Sequence, residues 1–123
     1  VIFMLNAKAI EGLSKSSPKK RYKSFLTTIA DRQEVWALIS NDQKTLAVND
    51  DGYIMVWSYI EFCELMQSPN YNIITIEVHD FLEQCKALDG STCLSIFPTN
   101  ENSYIVSAKQ LCIDIQEYLD QVE

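Results

Sequence analysis

The sequence predicts an α+β fold: a single domain over residues 1–123, with a mixed, mostly antiparallel sheet of about five or six strands flanked by about five helices. Three observations carry that prediction. A chain of 123 residues, 47% hydrophobic and 22% charged, has the size and composition of one ordinary globular domain. The stretch Val35–Trp57 reads as a β-meander of three short strands, Val35–Ser40, Thr45–Val48 and Tyr53–Trp57, joined by Asn41-Asp42-Gln43 and Asn49-Asp50-Asp51-Gly52. Around it, segments with helical periodicity alternate with β-branched runs.

Taken in order, residues 1–5 are apolar but lack a basic leader and a small-residue cleavage site, so they read as a disordered or extended N-terminal extension and not as a signal peptide. Asn6 is an N-cap for a short helix to about Ser16, with Ala9, Ile10 and Leu13 as its apolar stripe. Ser17-Pro18 restarts the chain as N-cap and first helical position, and Tyr22, Phe25, Leu26 and Ile29 place one face of the helix Pro18–Asp31 on the sheet. In the meander both sides of the first strand are apolar, Trp36 and Leu38 on one and Val35, Ala37 and Ile39 on the other, which predicts a central strand. The third strand reads the same way, and Gly52 supplies a turn residue free to take positive φ.

Ser58-Tyr59-Ile60-Glu61 has the capping-box spacing and opens a helix to about Gln67, with Tyr59, Phe62, Cys63 and Met66 on one face. Asn72–Glu77 is a β-branched strand. Val78, Phe81, Leu82, Cys85 and Leu88 mark a helix expected to end at Asp89-Gly90, with Gly90 as its C-cap. Thr92–Phe97 and Ser103–Val106 are strands about a Pro98–Asn102 turn. A second capping box, Ser107 to Gln110, starts a final helix in which Leu111, Ile115, Tyr118 and Val122 recur at helical spacing.

Charge is unevenly placed. Residues 1–32 carry seven Lys/Arg against two acids, and residues 33–123 carry three Lys against fifteen acids, for a net charge of −7. Such an acidic body repels nucleic-acid phosphates, which disfavours a nucleic-acid partner; the basic cluster Lys15–Lys23 reads first as a solvated helix face. No apolar run is long enough to span a bilayer, which excludes a membrane helix and points to a cytoplasmic protein. Cysteines at 63, 85, 93 and 112 contain no CxxC and fall mostly on apolar phases, as expected of reduced, buried thiols.

Chemistry is sparse. His79 is the single histidine; it cannot make a metal site alone, and its six-residue separation from Cys85 on one helix is the wrong spacing for a nucleophile and its base. Asp50-Asp51-Gly52 lacks the alternating ligands and the downstream Glu of a calcium loop, and turn chemistry accounts for it. Three glycines, at 12, 52 and 90, leave no phosphate-cradling loop. No catalytic residue, metal or cofactor is therefore assigned, and whether the chain is an enzyme is left open, leaning towards none. The candidate binding residues are Arg21, which lies one position before an apolar stripe, and the tryptophans Trp36 and Trp57, since Arg and indoles concentrate at recognition sites.

Arg21-Tyr22 with Phe25, Val35-Trp36 with Leu38, Asp51-Gly52, Trp57, Phe81-Leu82 and Phe97-Pro98 resemble, in order and spacing, the bacterial domain-of-unknown-function family numbered 2750. Ser58 stands where that family usually has proline after the tryptophan. The resemblance implies a bacterial cytosolic protein with no known activity. The strand-cap-helix pattern is also similar, more distantly, to the N-terminal module of the serine-sensitivity-enhancing protein family, which would imply partner binding without catalysis. Together these readings predict a non-catalytic protein-binding module, with a homodimer or another protein as partner. The alternative is a small-molecule or anion-binding protein, or a weak enzyme, with a pocket near Arg21, Trp36 and Trp57.

Overall fold

In the computed structural model, which describes residues 6–42, 44–99 and 102–122, five helices and a five-stranded sheet form one α+β domain. The extension expected at residues 1–5 lies outside the described residues. The chain runs α1 (Ala7–Lys15), α2 (Pro18–Arg32), β1 (Glu34–Ser40), β2 (Ile54–Trp57), α3 (Ile60–Met66), β3 (Tyr71–Glu77), α4 (Val78–Ala87), β4 (Cys93–Ile96), β5 (Tyr104–Ser107) and α5 (Ala108–Val122). The strand order is β3-β1-β2-β4-β5. Every neighbouring pair is antiparallel except β2 and β4, which run parallel, so the sheet is mixed. The strand with two apolar sides, β1, lies between β3 and β2.

Helix boundaries follow local chemistry. The Asn6 side chain accepts from the Ala9 amide and that of Ser17 from the Lys20 amide, so both N-caps form, with Pro18 just inside. The stripe Tyr22, Phe25, Leu26 and Ile29 is buried, and α2 ends where Gln33 turns into the left-handed region at φ 60°. Ser107 Oγ accepts from the Gln110 amide and caps α5. That helix buries Leu119, while Val122 is 56% exposed: the apolar face turns away from the body in the last turn.

Three local expectations are corrected. Thr45–Val48 is not a strand of its own but touches its neighbours through two single bridges, Ile39–Leu46 and Val48–Ile54. The reason is that β1 and β2 pair directly with each other, Trp36 opposite Trp57 and Ala37 opposite Val56, and the segment only wedges between them where they diverge. Ser58 does not cap α3. Its side chain is fully buried with its hydroxyl unbonded, and extended Tyr59 takes the N-cap position without a side-chain bond. Gly90 is not a C-cap either, because α4 stops earlier with Leu88 extended, and the Gly90 carbonyl instead accepts from the Lys109 amide at 3.4 Å.

The register sorts the sheet into two faces. Ile54, Val56, Leu94, Ile96, Tyr104 and Val106 share one face, which α2, α4 and α5 cover. Tyr22 of α2 stacks on Tyr104 with ring centroids 4.4 Å apart, and its hydroxyl donates to Asp114 of α5 at 2.5 Å, tying three elements together. Burial and this carboxylate push the Tyr22 phenol well above the usual tyrosine range. The opposite face carries Trp36, Leu38, Met55, Trp57, Ser95 and Ile105. Among the elements that follow the meander, α3 lies over this second face, with Phe62 and Cys63 buried beneath it, and leaves the β2-β4-β5 side partly open.

Candidate functional site

The chain leaves β4 under unusual restraint. Phe97 has φ 53°, a left-handed conformation that is costly for a large aromatic residue. Four interactions hold it there. Its amide donates to Val56 O at 2.8 Å and its carbonyl accepts from Arg21 Nε at 3.2 Å. Its ring meets Phe62 edge-on at 4.7 Å and Tyr59 at 6.3 Å. The next residue is fixed too, because Trp57 Nε1 donates to Pro98 O at 2.9 Å.

Arg21 extends this clamp. Its side chain is fully buried, and besides Phe97 it donates to Ser16 O at 2.5 Å and to Asn102, at both the main-chain oxygen (3.1 Å) and Oδ1. One planar guanidinium thus ties the α1–α2 junction to both ends of the β4–β5 connection, a geometry that an ammonium could not reproduce.

The clamp supports the floor and wall of a groove on the open sheet face. One compartment, of about 240 Å³, is lined by Phe62, Leu65, Met66 and Pro98, with Glu11, Ser14, Lys15 and Thr99 at its rim. Glu11 and Lys15 bond each other across one turn of α1 at 2.7 Å. The second compartment, of about 370 Å³, shares Met66, Pro98 and Thr99 with the first and is otherwise polar: Asn49, Asp50, Asp51, Ser95, Asn102 and Ser103, over Met55. Its acidic end is held by the turn itself. Asn49 Oδ1 accepts from the amides of Asp51 and Tyr53, and Gly52 takes φ 84°. At its floor the Ser95 side chain is 1% exposed, and its hydroxyl has no hydrogen-bond partner.

Of the three residues expected to form a pocket, two are sealed from solvent. Arg21 and Trp57 have no exposed surface and meet at successive carbonyls, Phe97 O and Pro98 O. Trp36 is half-buried beside Trp57 on the same sheet face and does not line the groove. Sequence reasoning missed the groove itself. Leu65, off the apolar stripe of α3 and 64% exposed, was its most legible sign.

The remaining reactive groups sit elsewhere. His79 is exposed and its Nδ1 lies 2.6 Å from Glu77 Oε1. That hydrogen bond holds the Glu77 carboxyl below its usual range. Burial pushes the Cys63 and Cys85 thiols up to about 12, which leaves them protonated and unreactive at neutral pH. Among the described residues no cluster of His, Cys, Asp and Glu could hold a metal ion, and no helix is long and apolar enough to cross a membrane.

Fold and site together define a small α+β protein built around a preformed surface groove, with a buried arginine and tryptophan as its braces. The chain belongs to the family described as Protein of unknown function (DUF2750), whose model matches residues 22–115. No curated protein and no solved structure matches it.

Proposed function

We propose that this protein is a non-catalytic binding module that holds a segment of a partner protein in the groove between α3, the 49–51 turn and the β4–β5 connection. The observation that carries this reading is the joining of an apolar compartment (Phe62, Leu65, Met66, Pro98) to an acidic one (Asp50, Asp51) through shared walls. That pairing suits a peptide with an apolar anchor followed by a Lys or Arg, the anchor desolvated and the cation set against two carboxylates.

Arg21 and Trp57 serve the groove as positioning residues, and Trp36 supports it by packing beside Trp57. A pocket open to ligand at these three side chains is disfavoured by the full burial of two of them. The test is selection from a random peptide display library on the wild-type protein, followed by titration of the enriched peptides. Enriched sequences should pair an apolar residue with a nearby Lys or Arg. Leu65→Glu should weaken their binding at least about tenfold, and Asp50→Asn with Asp51→Asn should remove the preference for the cation. No enrichment, or peptides insensitive to both changes, would overturn the reading.

A further inference from the structure

We propose that β3 is a self-pairing edge through which two copies of this chain join into one continuous sheet, on a two-fold axis at Ile74. The inference is independent of the groove, which lies over β2, β4 and β5, whereas β3 is the opposite edge of the sheet.

The register shows which backbone groups face outward. Asn41 donates to Asn70 O and Val78 donates to Gln33 O, so the hydrogen-bonded pairs with β1 are the even-numbered residues of β3 and its flanks. The odd-numbered residues present their N–H and C=O groups to the free edge. Tyr71 is satisfied locally, its amide bonding Ser68 O and its carbonyl accepting from Gln67 Nε2. Ile73 and Thr75 keep both groups free for a partner strand, and Glu77 its N–H.

This edge lacks the usual protections. The strand Tyr71–Glu77 is seven residues long, has no Pro, Lys or bulge, and leaves Ile73, Ile74 and Ile76 only half-buried. The other edge, β5, is four residues and protected by its shortness. An antiparallel copy centred on Ile74 sets Ile73 opposite Thr75 of the second chain twice over, which uses all four of their free groups per chain in the narrow hydrogen-bonded geometry. Ile74 then meets Ile74 at the axis. Glu77, the only charged residue of β3, is carried to opposite ends of the strand pair, roughly 20 Å from its copy. Parallel pairing would place the two carboxylates side by side. Charge and hydrogen bonding therefore select the same arrangement.

Sedimentation equilibrium and light scattering from micromolar to millimolar concentration test it. Wild type should show a monomer–dimer equilibrium. Thr75→Pro removes only an outward N–H, which an edge strand tolerates, and should weaken the dimer roughly 30-fold through two lost hydrogen bonds. Thr75→Lys, which brings like charges near the axis, should do the same while leaving thermal unfolding of the monomer unchanged. In a background with the native cysteines changed to Ser or Ala, Ile74→Cys should cross-link on oxidation and Ile76→Cys should not, because only the axial pair sits at disulfide distance. A wild type monomeric at millimolar concentration overturns the proposal. So does a dimer indifferent to both Thr75 variants, or protection of the Ile73 and Thr75 amides by a foreign strand alone.

Discussion

Replacing Arg21 by Met is the most informative single change, because it keeps much of the side-chain volume and removes the fork. Phe97 O is then left unbonded in a fully buried place, at about 1–3 kcal/mol, and the half-buried Ser16 O adds about 1 kcal/mol. Asn102 is exposed, so water replaces its bonds at little cost. Release of the guanidinium from its buried site offsets part of the loss, which leaves a destabilisation of about 1–3 kcal/mol. Urea denaturation with linear extrapolation measures it. With a slope of about 2 kcal/mol per molar, the midpoint should fall by about 0.5–1.5 M with the slope unchanged. Arg21→Lys should recover less than half, since an ammonium cannot reach Phe97, Ser16 and Asn102 together. A midpoint shift below about 0.3 M for Met, or full rescue by Lys, would refute the clamp.

Three further outcomes follow from other parts of the fold. Gln33→Gly should stabilise the protein by about 0.5–1 kcal/mol, read as a raised melting temperature, because this exposed residue holds φ 60° at the end of α2. A thiol reagent at pH 8 should leave Cys63 and Cys85 unmodified until the chain unfolds, both thiols being buried and pushed up to about 12, while the half-buried Cys93 is open to it. Glu77 has its folded carboxyl below the ordinary value of 4.5, so its stabilising contribution is fully present above that value and disappears as pH falls through the lower, folded one. The stability gap between wild type and Glu77→Gln should therefore close as pH falls below about 4.5, as followed by denaturation at stepped pH.

The fold was legible where periodicity and capping agree. The stripe of α2, the caps Asn6, Ser17 and Ser107, and the two-sided β1 all appear where their residues predict them. What failed were signals whose meaning depends on tertiary packing. Ser58 has the capping spacing, but its place beneath α3 buries it before it can turn to the helix amides. Thr45–Val48 alternates like a strand, but only the direct pairing of Trp36 with Trp57 decides how much room is left for it. The site was half legible. Arg21 and Trp57 stood out as residues too costly to be incidental, yet sequence cannot distinguish an arginine that faces a ligand from one that faces three carbonyl oxygens of its own chain. That difference is set by contacts between residues some eighty positions apart in sequence.

The burial of those residues argues for a groove of fixed shape. Pro98 and Thr99 wall both compartments, and the backbone feeding them cannot relax: Phe97 is bonded through its amide to β2 and through its carbonyl to α2, and is gripped by the rings of Tyr59 and Phe62. A wall already ordered before binding loses little conformational freedom when a ligand arrives, so a modest apolar contact can give useful affinity. The same braces explain why a left-handed aromatic residue persists at this point. Its strain is outweighed by the buried bonds that would be broken if Phe97 moved to an ordinary conformation and carried Pro98 away from Trp57. Strain held in place at the rim of a concave site is the physical link between the hidden Arg21–Trp57 pair and the surface that a partner would touch.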